Sequence, residues 1–465
     1  MPTEKIYFCK YLKIQHAIGR SVDVKDQKRN RRLRIMVCKP GWLMILVCAV
    51  TFSSAHTSMA GGEAHWPDWR GPTADGHSDA AGLPLHWSET ENIVWKTSIH
   101  GDGYSTPVVW GEQIWLTTAT KDGRTLYAVC VDVNTGAVVH DIEVFHPSEP
   151  QHINPNNTYA TPSAVVEEGR VYVHYGTHGT ACLNSKTGEV LWRRIDLNCD
   201  HIQGPVSSPI LFEDLLIVHL EGGDVQFIAA LNKMTGETIW RYDRPRDLYE
   251  GVEPAYLVKA YQTPMIVEVD GKPQMLSNGA LLVTSHDPRT GEELWRVRYR
   301  DDSTISRIVS GLGLHFINTG GSPDAPQLWA VRHGGVGDVT DTHVVWKMTE
   351  DVPLKASPVL VGDLLYTMSD KGVLLCIEAK SGAIVWSERI RGDYGPSLLY
   401  ADNRIYVLSM RGRTTVIAPG REFRLLAVND LDGRFGASPV VVGKSLLLRS
   451  TTHLYMIGET HLNVE

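Results

Sequence analysis

The sequence predicts an all-β fold: an eight-bladed β-propeller whose ring is closed by N- and C-terminal strands sharing one blade. Three observations point to it. A turn followed by a tryptophan recurs along the chain, a Ser/Thr-Pro pair recurs between those turns, and two partial repeats at the ends complete each other. A four-stranded unit repeating every ~45 residues is the period of a propeller blade.

The turn reads NSKTGEVLW (ending at Trp192), NKMTGETIW (Trp240), DPRTGEELW (Trp295) and AKSGAIVW (Trp386). Weaker copies are NTGAVVH (His140) and DVTDTHVVW (Trp346), and TENIVW (Trp95) keeps only the end. Thr-Gly or Ser-Gly between two strand-like runs marks a tight turn, because Gly enters positive φ without steric cost. The tryptophan is expected to end the outer strand and to fasten one blade to the next, burying roughly 150 to 250 Å² of aromatic surface. Trp95, Trp192, Trp240, Trp295, Trp346 and Trp386 are assigned this docking role.

The second element is Ser/Thr-Pro, an apolar run, a Gly or Asp, and another apolar run. It starts strands after Pro107, Pro162, Pro209, Pro264, Pro358 and Pro439, and copies without the proline lie near Ile308 and Leu398. Eight copies fit a ring better than seven. The stretch from Pro439 to Ile457 gives three strands with no following tryptophan, whereas Trp95 ends a strand with nothing before it. Pairing them leaves no open edge between first and last blade.

The expected organisation is a signal peptide with a basic extension over 1–60, a leading segment 61–94, the propeller over 95–458 and a short tail 459–465. RNRRLRIMVCKP, an apolar run from Trp42 to Phe52 and the small-x-small end Ser58-Met59-Ala60 have the three-part layout of a secretory signal. Such a run is shorter than the ~20 residues that cross a bilayer core. Met36 stands where a signal of ordinary length begins. Val47 before Cys48 disfavours lipid modification there. The expected location is therefore periplasmic or extracellular.

Composition supports a folded, turn-rich chain: 43% hydrophobic, 21% charged, with 42 Gly and 24 Pro in 465 residues. Residues 1–40 carry 11 Lys/Arg against 3 Asp/Glu and residues 41–60 carry no charge. That leaves 34 basic and 50 acidic groups from Gly61 onward, a net of −16. A surface of that sign repels phosphate backbones, which excludes a general nucleic-acid-binding role. Of the cysteines after residue 60, Cys130, Cys182 and Cys376 share one register five residues before the Thr or Ser of the turn, and Cys199 stands apart. Equivalent positions of separate repeats read as small buried apolar sites, not as a disulfide framework.

With these repeats in view, the chain resembles the pyrroloquinoline quinone (PQQ) repeat family, whose blades carry the turn-plus-tryptophan motif seen at Trp192, Trp240, Trp295 and Trp386. The resemblance runs from about Trp66 to Gly458, and WPDWRGPTADG looks like the opening of PQQ-like propellers. Within the family it is nearest to exported bacterial members similar to the propeller lipoprotein of the outer-membrane β-barrel assembly machinery. Quinone dehydrogenases of this fold are longer and feature an adjacent-cysteine disulfide, a calcium site and a catalytic Asp. This chain has no Cys-Cys pair, and neither the calcium ligands nor the Asp is matched to a position, so neither PQQ nor calcium is assigned. A fold does not transmit its activity.

A ligand of such a ring is expected at the mouth, where each outer strand crosses to the next inner strand. The candidate ligand-binding residues are Tyr104, Tyr159, Asp200, His201, Tyr261, Arg307, Lys355, Tyr394 and Phe435. Tyr104, Tyr159, Tyr261 and Lys355 stand three residues before the proline of their repeat. Two readings stay open: a collar that holds a sugar, peptide or partner loop, or aromatic rings that only plug the channel. Glu250, Glu253 and Tyr256 belong to the same connections. Asp200 with His201, near His174 and His178, invites a metal or acid-base reading beside that of structural histidines. No nucleophile elbow, HExxH helix or phosphate loop appears. The expected function is thus a secreted, non-catalytic binding or scaffold protein of the cell envelope. Its partners would be a protein or glycan ligand, with peripheral association to envelope membrane complexes. The alternative is a quinone- or metal-dependent oxidoreductase or hydrolase using the same mouth.

Overall fold

The computed structural model describes residues 65–249, 258–321 and 325–459. The expected signal segment 1–60, residues 61–64, the candidates Glu250, Glu253 and Tyr256, and the tail from 460 lie outside the described residues. Strand is nearly the only regular secondary structure among the described residues, which carry two short helical turns besides, Arg246–Leu248 and Thr340–His343. The chain forms eight antiparallel four-stranded sheets, three of which gain a short fifth strand, arranged as an eight-bladed β-propeller.

Each blade runs from an inner strand, such as Ile210–Phe212, through two middle strands, Leu215–Glu221 and Gln226–Asn232, to an outer strand, Thr238–Asp243. Middle strands have both faces covered by neighbouring blades, so LLIVHLE is buried along its whole length. Sheets covered on both faces read as continuous apolar runs, not alternating ones. Outer strands such as Val190–Arg194 alternate between partly buried and exposed positions, the period of a half-covered strand. Ring closure is as expected. Ile93–Ser98 pairs antiparallel with His453–Ile457, setting Trp95 opposite Met456, which in turn lies opposite Leu447.

The repeated tryptophans fasten successive blades. The Trp95 indole N–H donates to the Val133 carbonyl (2.8 Å), Trp192 to Lys233 (3.0 Å), Trp240 to Pro288 (3.1 Å), Trp346 to Ala379 (2.9 Å) and Trp386 to Gly420 (3.0 Å). In every case the acceptor belongs to the connection between the third and fourth strands of the next blade. Gly236 shows why the turn needs glycine: its φ is +76°, and a Cβ there would lie 2.8 Å from the Trp192 ring. Trp295 differs. Its N–H bonds Gln274 of its own blade at 3.2 Å, and its ring stacks on His315 of the next blade at 5.6 Å. That next blade replaces the tight turn with a longer excursion through Gly337–Asp338 and Thr340–His343.

One detail corrects the sequence expectation. The tryptophans sit within the outer strands, not at their ends. The register shifts beside the residue opposite Trp192, Trp240, Trp295, Trp346 and Trp386. An extra residue there bends the strand and re-aims the side chain toward the next blade. Cys182 and Cys376 pair with Trp192 and Trp386, and Cys130 with His140. All four described cysteines are free and buried.

Candidate functional site

The channel is closed at one level by the leading segment. His65–Trp66 pairs with the inner strand Val108–Trp110 of the first blade, and His77–Ser78 runs parallel to the inner strand Leu399–Ala401 of the seventh. Between them the chain crosses the ring and is tied down by arginines. Arg70 donates to the carbonyls of Leu398, Pro358 (2.8 Å) and Asp75 (2.7 Å). Arg307 donates to Asp68 Oδ1 (2.7 Å) and the Pro264 carbonyl (2.8 Å). Trp69 lies within 6 Å of both guanidiniums and faces a cavity of about 780 Å³. The channel is therefore a cup with a floor.

Above the floor runs a hydrogen-bonded ring built from the residue two positions before each inner strand. Thr106 N–H donates to Ser163 Oγ, Ser163 to Ser208, Ser208 to Thr263, Ser357 to Ser397, Ser397 to Ser438, and Ser438 to Thr106, all at 2.8 to 3.0 Å. The eighth position is Arg307, whose N–H reaches Ser357 Oγ at 3.0 Å. The recurring Ser/Thr thus supplies the acceptor that its neighbour's buried N–H requires. The one repeat without a hydroxyl supplies the guanidinium that holds the floor.

Two residues earlier in each repeat stand Tyr104, Thr161, Val206, Tyr261, Ile305, Lys355, Gly395 and Gly436, and all eight line the cup. Asn154, Asn156, Asn157 and Gln203 line the cup together with Asp370, Asp393, Arg411 and Arg434, whose Nη2 donates to Asn156 Oδ1 at 3.5 Å. Lys355 pairs with Asp370 at 2.8 Å and Arg411 with Asp393 at 3.4 Å.

Of the nine residues singled out in the sequence, Tyr104, Tyr261, Lys355 and Tyr394 line the cup. The Tyr261 hydroxyl donates to the His201 carbonyl at 2.9 Å. The Tyr394 ring contributes wall, while burial pushes its hydroxyl up to about 12. The other five lie elsewhere. Tyr159 turns into the first two blades, donating to the Gln151 carbonyl at 2.8 Å, with its ring edge-on to His178. Phe435 is fully buried against Tyr455. Tyr159 follows from counting back from the proline, whereas Phe435 stands one residue before the lining position, which Gly436 takes. In the second repeat the inner strand begins three residues after Pro162, so Thr161, not Tyr159, takes the position of Tyr104. Arg307 lies beneath the wall as an anchor. Asp200 is exposed outside the cup, its carboxylate accepting from Ile202 N at 3.1 Å.

His201 is buried, and its Nε2 accepts from Thr177 N at 2.9 Å. His178 accepts from Gln151 N at 3.1 Å, and His174 bonds Thr180 Oγ1 at 2.8 Å. Burial drives His174 and His201 down to about 3. These are neutral rings committed to the backbone and a hydroxyl. Sequence reading missed Trp69, although the WPDWR motif carried it. It also missed the pairing of Arg434 with Tyr104, whose ring lies 5.6 Å below the guanidinium.

The donor set that a quinone with calcium needs is not assembled by this cup. Its two carboxylates among the described residues, Asp370 and Asp393, are paired with cations, and the four described cysteines are buried singly. Among the described residues no group of three or more His, Cys, Asp or Glu is placed to hold an ion. No helix among them is long and apolar enough to cross a membrane.

Fold and site together define a repeat propeller with a one-ended, side-chain-lined cup, a class built for binding. The family model described as outer membrane protein assembly factor BamB matches residues 85–194, 129–336 and 280–436, and the chain belongs to this PQQ-like repeat family. It is 21% identical to the outer membrane protein assembly factor BamB of Yersinia pestis over 363 residues, 76% of this chain and 75% of that one. The crystal structure of BamB from Moraxella catarrhalis matches with a TM-score of 0.55 at 14% identity, covering 80% of this chain and 99% of that one. A europium-containing methanol dehydrogenase matches with a TM-score of 0.62 at 11% identity, covering 86% and 98%. At these identities the two structures share the fold.

Proposed function

We propose that this chain is an exported, non-catalytic propeller of the cell envelope, periplasmic or extracellular, that receives a segment of a protein or glycan partner in its cup. The observation that carries this is the floor. Trp69, held by Arg70, Arg307 and Asp68, turns a channel into a receptacle whose wall draws a residue from the same position of every blade. Membership in the family described as an outer membrane assembly factor supports a binding or scaffold role. An acidic body, net −16 from Gly61 onward, favours such a partner over nucleic acid.

The fold of the methanol dehydrogenase raises a second reading, quinone-linked oxidation in the same cup. The lining speaks against it, because the described carboxylates are tied up in ion pairs and the four described cysteines are buried singly, with no adjacent pair. Purification from the native source followed by native mass spectrometry and a dye-reduction assay separates the two. The binding reading expects a retained macromolecular partner and no alcohol- or sugar-dependent dye reduction. A retained quinone with turnover would overturn it.

A further inference from the structure

The hydroxyls around the channel hold more than the ring. Thr106, Ser163, Ser208, Thr263, Ser397 and Ser438 each accept one backbone N–H. A Ser or Thr hydroxyl also carries a proton to donate. Among the described residues no acceptor takes that proton from any of the six, and all six line the cup. The accepted backbone N–H takes one lone pair of each oxygen and leaves its O–H free to donate to an occupant of the cup. The result is a crown of convergent donors, which calls for an oxygen-rich occupant.

The charge of the rim narrows its nature. Lys355 and Arg411 are neutralised by Asp370 and Asp393, but Arg434 has no carboxylate partner among the described residues. It is exposed, over the Tyr104 ring at 5.6 Å. Among the described residues the cup lining therefore carries one surplus positive charge, in a body of net −16. Among the described residues its aliphatic lining is Val206, Ile305 and Met410, which offers little to the apolar side chains of a peptide. Aromatic faces beside amides and hydroxyls match the C–H faces and oxygens of a pyranose.

Resting on the binding reading above, we propose that the cup takes a carboxylate-bearing saccharide. Its carboxylate meets Arg434 at the rim, and its ring and hydroxyl oxygens accept from the crown. The probe is trigalacturonate, with its methyl ester as the uncharged counterpart and tri-glutamate as the acidic peptide, each titrated calorimetrically into the purified protein. Trigalacturonate is expected to bind, the methyl ester about ten- to a hundredfold more weakly, because a hydrogen bond to a charged group is lost. Arg434→Gln should abolish the difference between the two without shifting Tm, and Arg434→Lys should restore part of it. Equal binding of acid and ester, no binding of either, or tighter binding of tri-glutamate each overturns the proposal. A photo-crosslinker at Tyr104 distinguishes the two levels. If it captures a specific partner while the saccharides fail, only the saccharide assignment falls. If nothing contacts the cup, the binding reading falls as well.

Discussion

Gly236→Ala tests the docking of one blade on the next. The new Cβ would sit 2.8 Å from the Trp192 ring at a φ of +76°. Left-handed backbone alone costs about 1 to 2 kcal/mol for alanine. Moving the ring also loosens its N–H bond to the Lys233 carbonyl, worth about 1 kcal/mol. If a third of a ~200 Å² indole is uncovered, another ~1.5 kcal/mol goes at 25 cal/mol per Å². The total is about 4 kcal/mol. Gly271 supplies the control: its φ is +73° with nothing within 4 Å, so Gly271→Ala should cost only the backbone term, about 1.5 kcal/mol. In a Trp192→Ala background the Gly236→Ala cost should fall to that same figure. Urea-unfolding midpoints of the four variants measure this. Equal costs at Gly236 and Gly271, or an undiminished Gly236 cost without Trp192, would refute the docking argument.

Three further outcomes follow from buried charge and burial. Burial lowers His174, His201 and His286 to about 3 in the folded chain. The unfolded chain takes up protons below about 6.5, so stability is complete above that pH and is lost as pH falls toward 3, by about 2 kcal/mol per ring at pH 5. A stability profile flat from pH 7 to 5 would contradict it. Arg307→Met strands the Asp68 carboxylate and should destabilise by about 3 to 5 kcal/mol, with residues 66–78 becoming the first protease cleavage site. An unchanged digestion pattern would deny Arg307 its anchoring role. Burial pushes Cys130 and Cys182 up to about 12 and Cys376 to about 11. In a chain starting at Gly61, the four thiols should resist a maleimide at pH 8 until urea exposes them; rapid native labelling would be inconsistent with the blade packing.

The ring was legible in the sequence because its information is local and repeated. Each Thr-Gly or Ser-Gly turn, Trp and Ser/Thr-Pro pair specifies a short-range event, and the repeated copies specify a circle. The ends could be matched because Trp95 lacked three strands and Leu447 lacked a fourth. The cup was only half legible. Proline served as the ruler for the mouth, yet side-chain height is set by the start of the inner strand. Tyr104 and Tyr261 therefore fell in place while Tyr159 did not, and Phe435 missed the lining position, Gly436, by one residue. The floor is a long-range matter: Asp68 meets Arg307, and Arg70 meets the carbonyls of Pro358 and Leu398. No periodicity announces such contacts. The absent hydroxyl in the fifth repeat, where Arg307 stands, was their one visible trace.

A photo-reactive side chain placed at Tyr104 in the cup, and separately at Ile239 on an outer strand, tests the central claim most directly in the native host. Occupancy of the cup gives a discrete crosslinked species from Tyr104 that is lost when free ligand fills the cup. Crosslinks from Ile239 alone would place the working surface on the blade edges and contradict that claim.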